Sequence, residues 1–259
     1  MLKINDLSVG YGNRTIVQNF NTNIKKGDIV TIIGPNGSGK STVLKAIGRL
    51  LKWQNGCIYL DGKSVMDMNN KEIARTMACL SQHNSCPSDM TVRQLVTFGR
   101  HPHKGWFQSI KEDDEDIINW ALESTNILKL QEKKLINLSG GERQRAWIAM
   151  ALAQKPKVLL LDEPTTYLDV SNQIEILELV QQLNKSMDLT VVMVLHDLNQ
   201  AAKYSHRVLV VKNGDIQVEG SPKAVLSREL IRHVYKVDMD ILQGVSGEEL
   251  IFIPKRVYK

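Results

Sequence analysis

The sequence predicts an α/β fold built on a buried, largely parallel β-sheet. One observation is the order of a short apolar run, a glycine-rich loop and an amphipathic segment between residues 28 and 51. The others are two further apolar runs, residues 158–161 and 190–195, each followed directly by acidic or imidazole side chains. Short runs of this kind are typical of parallel strands buried on both faces. Because such sheets bind ligands beyond the carboxyl ends of their strands, these polar residues predict a ligand site.

The first of these segments contains a phosphate-binding motif. Residues 28–33 form an apolar, β-branched run that predicts a strand, and residues 40–51 predict a helix with apolar side chains on one side. The loop between them, Gly34-Pro-Asn-Gly-Ser-Gly-Lys-Ser41, fits the pattern G-x-x-x-x-G-K-[ST]. Its glycines allow backbone conformations closed to other residues, so that the loop N–H groups can point at phosphates. This context predicts the core of a P-loop NTPase.

The side chains of the loop predict a nucleotide polyphosphate and Mg²⁺ as ligands. Lys40 is expected to reach the β- and γ-phosphates as a point charge, and the Ser41 hydroxyl is expected to bind Mg²⁺. Thr42 adds a hydroxyl near the α-phosphate. The predicted nucleotide-binding residues of the loop are Gly34, Pro35, Asn36, Gly37, Ser38, Gly39, Lys40, Ser41 and Thr42.

The ends of the other strands predict the remaining chemistry. Asp162 is expected to bind Mg²⁺ through a water, because Mg²⁺ keeps much of its hydration, and Glu163 to orient or deprotonate the attacking water. His196 predicts a contact with the γ-phosphate, and Gln82 is expected to offer an oxygen to Mg²⁺. An acidic turn before Pro164 and a structural histidine are the plainer alternatives, which the glycine loop disfavours. The predicted catalytic residues are Glu163 and His196, and the predicted metal ligands are Ser41, Gln82 and Asp162.

A glycine pair opens another predicted helix. Ser139 and Glu142 fit the capping box S/T-x-x-E before the helical run 143–153. A capped helix start with two glycines is also suited to anions, since its bare N–H groups lie at the positive end of the helix dipole. The two interpretations are compatible.

In this order, the motifs resemble the nucleotide-binding subunits of ABC transporters over about residues 1–230. Two positions depart from the family pattern: Glu142, where Gln is commonest, and Tyr167, where a small residue is usual. The resemblance identifies Tyr11 as the adenine-stacking aromatic, Gly34–Ser41 as Walker A, Gln82 as the Q-loop, residues 138–142 as the signature, residues 158–162 as Walker B, Glu163 as the catalytic carboxylate, Leu168 and Asp169 as the D-loop, and His196 as the switch histidine.

The resemblance also implies an architecture and an assembly. It implies a single ABC ATPase domain over residues 1–259, with an antiparallel β-subdomain around residues 2–22 and an inserted helical subdomain bearing the signature. The expected parts are a core of about residues 1–90 and 155–235, a helical subdomain of about 91–154 and a C-terminal hairpin of about 236–259. In the family the signature closes on the γ-phosphate held by a second subunit. An ATP-dependent head-to-tail homodimer is therefore expected, with Ser139, Gly140, Gly141 and Asp169 acting in trans.

Composition limits the possible settings. No run approaches the roughly 18 uncharged apolar residues of a membrane span, and the first residues predict a strand rather than a signal peptide. Three cysteines without C-x-x-C spacing predict buried or inert thiols. A net charge of +5 is compatible with an anionic membrane surface or nucleic acid but is too modest to choose between them, and a soluble basic enzyme is the default expectation. The acidic run 112–116 predicts a solvated first turn of a helix. We therefore expect an ATPase at the cytoplasmic face of the plasma membrane, with the transport path in separate permease subunits.

Three functions compete within this family: the ATPase of an importer, an ATPase acting on nucleic acid, and a non-catalytic subunit. The nucleic-acid members carry paired domains or long heptad arms, which this chain lacks, and a non-catalytic subunit would lack Glu163 or His196. The stretches 99–103, 143–150, 163–169 and 196–201 resemble ATPases of iron-siderophore, haem and cobalamin importers, with the ferric-siderophore branch closest. Haem or cobalamin is the alternative cargo. Residues 82–103 are expected to receive a permease helix, and an external receptor is an indirect partner.

Overall fold

The computed structural model describes residues 1–87, 89–104, 111–244 and 250–258. The chain divides into two compact units, Met1–Val65 with Val192–Lys259 and Met66–Val191, which are described separately. The strands are β1 (Leu2–Tyr11), β2 (Arg14–Ile24), β3 (Ile29–Ile33), β4 (Trp53–Leu60), β5 (Lys63–Ser64), β6 (Met77–Leu80), β7 (Val158–Asp162), β8 (Thr190–Val194), β9 (Arg207–Lys212), β10 (Asp215–Gly220), β11 (Val237–Gln243) and β12 (Leu250–Val257). The α-helices are α1 (Lys40–Ile47), α2 (Asn70–Thr76), α3 (Val92–Phe98), α4 (Glu112–Ser124), α5 (Gly140–Ala153), α6 (Val170–Met187), α7 (Leu198–Tyr204), α8 (Pro222–Val225) and α9 (Arg228–Tyr235).

The N-terminal part of the first unit is an antiparallel sheet with strand order β2-β1-β4-β5. Leu2 lies opposite Ile24 on one side and opposite Leu60 on the other. Leu2 and Ile4 are buried while Lys3 between them is exposed, which is the alternation of a sheet covered on one face. The antiparallel N-terminal sheet expected from the sequence is confirmed, and β4 and β5 extend it.

The first unit also contains the parallel strands that carry the glycine loop. The order is β10-β9-β3-β8; β9 runs parallel to β3, and β10 runs antiparallel to β9. Every residue of β3 is buried, as expected for a strand covered on both faces. The N–H of Leu195, just after β8, donates to the carbonyl of Ile32 at 3.3 Å. The carboxyl ends of β3 and β8 are therefore neighbours.

In the second unit, β6 and β7 form a parallel pair that places two loops at one edge. Met77 lies opposite Val158, and Leu80 lies opposite Leu161. β8 begins beside this pair, where the Thr190 N–H donates to the Lys157 carbonyl at 3.1 Å. Because the strands are parallel and in register, the loops that follow Leu80 and Asp162 start next to each other.

The helices α3, α4 and α5 pack through apolar faces and are joined by one buried ion pair. Arg100 Nε lies 2.8 Å from Asp114 Oδ1, and Arg100 Nη1 donates to the carbonyl of Ala153 at 2.6 Å. Burial alone would raise the pKa of the Asp114 carboxyl, but the Arg100 guanidinium holds that pKa below its usual value. The acidic first turn of α4 is confirmed, but its predicted solvation is wrong at Asp114, which faces the helices instead.

The C-terminal strands β11 and β12 pair antiparallel, with Leu242 opposite Ile251. Residues 245–249, at the centre of the expected hairpin, lie outside the described residues. Asn199 in α7 holds the pair through both backbone groups of Phe252, at 2.8 and 3.3 Å. Within the described ranges, no helix is long and apolar enough to cross a membrane.

Candidate nucleotide-binding site

The glycine loop of the first unit is shaped by backbone contacts. Gly34 follows the buried strand β3, and a Cβ at this position would lie 2.0 Å from the carbonyl oxygen of Val211. Only glycine fits this approach. Gly39, with a φ of 101°, precedes α1 as its N-cap, and no side chain caps the helix. A helix start that no side chain caps is the arrangement that binds phosphate at helix N-termini.

Two side chains of the loop also fit an anionic ligand. Lys40 is 5% exposed, and its Nζ donates to the carbonyls of Gly34 and Pro35, each at 2.9 Å. The Ser38 hydroxyl is buried and has no hydrogen-bond partner in the described part of the chain. Buried hydroxyls are nearly always paired, so a phosphate oxygen would satisfy Ser38 as well as the Lys40 charge. The chemistry of this loop therefore fits a nucleotide polyphosphate.

Two further predicted residues belong to the same unit. Tyr11 ends β1 and presents half of its surface to solvent, 51%. His196 is exposed and follows β8, whose carboxyl end neighbours that of β3. The next residue, Asp197, caps α7 by accepting from the N–H of Gln200 at 2.8 Å, which fixes the backbone that carries His196.

In the second unit the structure brings Gln82 and Glu163 together. Asp162 ends β7 and is buried, while Glu163 turns the chain with a φ of 53°. The carboxylate Oε2 of Glu163 accepts from Gln82 Nε2 at 2.5 Å and from Thr166 Oγ1 at 3.2 Å. Residues from two loops therefore converge on one carboxylate oxygen. We call Gln82, Glu163 and Thr166 the carboxylate cluster.

The start of α5 shows the predicted capping box. Ser139 Oγ accepts from the Glu142 N–H at 3.2 Å, and Glu142 Oε2 accepts from the Ser139 N–H at 2.8 Å. That backbone hydrogen bond, with the charge of Lys133 nearby, lowers the pKa of Glu142. Ser139 and Gly140 are exposed, so this helix start is open to a ligand or a partner.

The signature glycines contact the first turn of α6 and the loop that precedes it. A Cβ on Gly141 would lie 2.0 Å from Asn172 Oδ1, and one on Gly140 would lie 3.0 Å from Leu168. Asp169 caps α6 by accepting from the Asn172 N–H at 2.8 Å. Asn172 thus links Asp169 to the signature within one unit, a link that the sequence motifs do not indicate.

Two other residues, in the loops that follow β6 and β7, were assigned no role from the sequence. The rings of His83 and Tyr167 stack with their centroids 6.2 Å apart and their planes inclined by 24°. Tyr167 stands out in the sequence as a departure from the family pattern, whereas His83 has no signal except its position after Gln82.

A magnesium ion bound with a nucleotide makes few demands on protein side chains. In the described ranges, no group of three or more His, Cys, Asp or Glu side chains could hold a metal ion. Mg²⁺ bound with ATP needs only one or two protein ligands, because phosphate oxygens and waters complete its shell. The Ser41 hydroxyl and the Asp162 carboxylate are donors of the required kind.

Comparison with known proteins places the chain among relatives over its full length. The ABC transporter family profile matches residues 17–166. The petrobactin import ATP-binding protein FpuC of Bacillus anthracis is 48% identical over 259 residues, which cover 100% of this chain and 94% of that protein. The iron(3+)-hydroxamate import ATP-binding protein FhuC of Bacillus subtilis is 46% identical over 241 residues, covering 93% and 90% respectively.

Solved structures agree with this placement. An inward-facing ABC transporter of the metal-chelate type matches with a TM-score of 0.86 and 28% identity over 98% of this chain and 97% of that one. The dimeric bacterial ABC transporter cassette MJ0796 matches with a TM-score of 0.75 and 30% identity over 86% and 99%. The α/β core with an antiparallel N-terminal sheet is confirmed as the ABC ATPase fold. The chain belongs to the ABC transporter family and is one of its ATP-binding, ATP-hydrolysing subunits.

Proposed function

We propose that this chain powers the import of ferric siderophores by hydrolysing ATP. The observation that carries the proposal is its similarity over nearly the whole chain to import ATP-binding proteins, of which one is named for iron(3+)-hydroxamate and another for petrobactin. The cargo itself is expected to bind other subunits. The chain would supply energy for transport from ATP hydrolysis and would not recognise the cargo itself.

Nucleotide binding is proposed for the glycine loop together with Tyr11. Lys40 would leave the carbonyls of Gly34 and Pro35 for the β- and γ-phosphates, and backbone N–H groups at the start of α1, which no side chain caps, would bind phosphate oxygens. Ser41, Asp162 through a water, and Gln82 would hold Mg²⁺, which would neutralise charge on the phosphates when bound. Tyr11, half exposed at the end of β1, would stack on adenine.

Hydrolysis is proposed for Glu163, with His196 contacting the γ-phosphate. Gln82 and Thr166 hold one oxygen of the Glu163 carboxylate, which restricts its orientation. A carboxylate held in this way can align a water for in-line attack and accept its proton. The residues proposed to complete the site from a second copy of the chain are Ser139, Gly140, Gly141 and Asp169. Exposure of Ser139 and Gly140 and the dimeric cassette among the solved relatives support that assignment.

The permease is proposed to bind a groove in the second unit. The groove has a volume of 820 Å³ and lies beside α3. Most of its lining residues belong to the segment 82–103, of which residue 88 lies outside the described residues, and Glu115 and Glu132 complete the lining. Exposed Phe98 offers an apolar contact, while Arg93 is paired with Glu115, and Asp89 and Glu132 add two further carboxylates. A permease helix with a basic and an apolar residue would complement this groove. Such docking would hold the chain at the cytoplasmic face of the membrane, with no role for nucleic acid.

Uptake by intact cells tests the cargo. A strain lacking this chain should grow normally in iron-replete medium but should fail to take up at least one ⁵⁵Fe-labelled ferric siderophore. The wild-type chain should restore uptake, and Glu163→Gln should not. If uptake of every ferric siderophore survives the deletion while haem or cobalamin uptake is lost, the siderophore assignment is refuted. The assignment as an importer ATPase would still stand.

A further inference from the structure

Tyr167 combines two features that are rare for an aromatic residue. Its side chain is 83% exposed, and its backbone has a φ of +65°. Bulky residues rarely adopt the left-handed backbone conformation, because it costs conformational energy. Such a conformation persists only where the surrounding structure enforces it. A large exposed ring in a strained turn, four residues after Glu163, therefore suggests a role at that turn.

The ring of Tyr167 is held by His83 from the other loop. Their centroid separation of 6.2 Å is within the range of about 4.5–7 Å at which aromatic rings attract each other. His83 directly follows Gln82, and Tyr167 directly follows Thr166. Each ring is thus attached next to a residue that donates to Glu163 Oε2. The contacts form a closed circuit of five residues: Glu163, Gln82, His83, Tyr167 and Thr166.

We propose that the stacked pair of His83 and Tyr167, here called the aromatic clasp, holds Gln82 and Thr166 against Glu163. Both rings are then positioning residues for hydrolysis, and this inference rests on the proposed role of Glu163. Exposed hydrogen bonds gain little over water, so Gln82 would exchange Glu163 for solvent if its loop were free. Water does not compete for ring stacking as it does for a hydrogen bond, and the stacked rings would join the loop that follows β6 to the loop that follows β7.

Steady-state ATPase kinetics of the full chain test the clasp. Tyr167→Ala and His83→Ala should each lower kcat about tenfold while KM for ATP stays within about twofold, because the clasp orients the base and does not touch the nucleotide. The double variant should be no slower than either single variant, since both break one contact. Tyr167→Phe keeps the ring and should retain near-wild-type kcat. Tyr258→Ala removes an exposed aromatic of the C-terminal strand region and serves as the matched control.

A further variant separates the loss of the ring from the strain of the backbone. Tyr167→Ala removes the ring alone, whereas Tyr167→Gly removes the ring and also relieves the strain of a positive φ. Tyr167→Gly should therefore fold at least as stably as wild type and still lose kcat about tenfold. Wild-type kcat in Tyr167→Gly would overturn the clasp. The same conclusion would follow if the effects of the two alanine variants on kcat were additive, or if these variants raised only the KM for ATP. It would also follow if Tyr167→Phe were as slow as Tyr167→Ala. Glu163→Gln is measured alongside. If Glu163→Gln keeps full turnover, the proposed base fails; if it is inactive and Tyr167→Ala is fully active, only the clasp fails.

Discussion

In the glycine loop of the first unit, backbone atoms fix the geometry, whereas in the carboxylate cluster of the second unit side chains fix it. Gly34 packs against the carbonyl of Val211, and Lys40 donates to two carbonyls of its own loop. Glu163 is instead held by the side chains of Gln82 and Thr166. A site built from backbone is preformed and tolerates few substitutions at its glycines. A site built from side chains, of which Gln82 is exposed, can be rearranged by moving one loop, as a step gated by a partner requires.

The largest effect is expected where the second unit depends on a buried pair of side chains. Arg100→Ala leaves the Asp114 carboxylate buried without its guanidinium, which should cost about 3–5 kcal/mol of unfolding free energy. Urea denaturation followed by circular dichroism measures this loss. Lys104→Ala is the control, because its Nζ lies 3.9 Å from Asp114 and the closer Arg100 contact remains. Equal losses for the two variants would contradict the assignment of Arg100 as the main partner.

The ion pair of Arg100 and Asp114 also predicts that the stability of the fold depends on pH. The pKa of Asp114 is lower in the folded state than its usual value. Its stabilisation is therefore fully present above the ordinary Asp pKa, near 4, and is lost as the pH falls through the lowered folded value. Wild type and Asp114→Asn, compared by thermal melting, should differ most near neutral pH and converge on acidification. If the difference in melting temperature between the two proteins grows as the pH falls, the predicted direction of the pH dependence is wrong.

A smaller effect is expected for two variants that separate ATP binding from ATP hydrolysis. Glu163→Gln keeps the shape of the carboxylate but cannot take a proton, so turnover should fall about a hundredfold, equivalent to about 2.7 kcal/mol, with ATP affinity preserved. Lys40→Ala, the matched change in the other region, should weaken ATP binding measured by calorimetry. Light scattering should show an ATP-dependent dimer for Glu163→Gln. Equal ATP affinity of Lys40→Ala and wild type would contradict the phosphate role of the loop.

Two glycines sharpen the comparison further. A Cβ on Gly34 meets a backbone carbonyl, whereas a Cβ on Gly141 meets the Asn172 side chain, each at 2.0 Å. Both alanine variants should lose about 1–3 kcal/mol of stability through overpacking. Asn172→Ser should restore much of the stability of Gly141→Ala, since it shortens the obstructing side chain. Failure of that rescue in thermal melts would show that the signature turn, like the glycine loop, is fixed by its backbone.

This difference also explains what the sequence could predict. The glycine loop, the Ser139 capping box and the polar strand ends are local patterns, and each was found where expected in its element. Asp114 was expected in solvent because its partner Arg100 lies 14 residues earlier, in the segment that follows α3. His83 went unnoticed for the same reason, since its stacking depends on the tertiary pairing of β6 with β7. Contacts between side chains of distant segments leave no periodicity or fixed spacing in one sequence.

The last expected effect, no larger than that of the glycine variants, concerns Tyr11, which belongs to the first unit but would contribute a side chain rather than backbone. Tyr11→Ala should weaken ATP binding by about 1–3 kcal/mol, the range measured when stacking of a base on an aromatic is removed, and Tyr11→Phe should bind normally. Stacking contacts no base edge, so GTP should compete appreciably with ATP in calorimetric displacement. Strict rejection of GTP would require a hydrogen-bonding pocket for adenine and would assign specificity to groups other than Tyr11. Competition by GTP together with a normal Tyr11→Phe variant would show that the exposed ring contributes affinity without selecting the base.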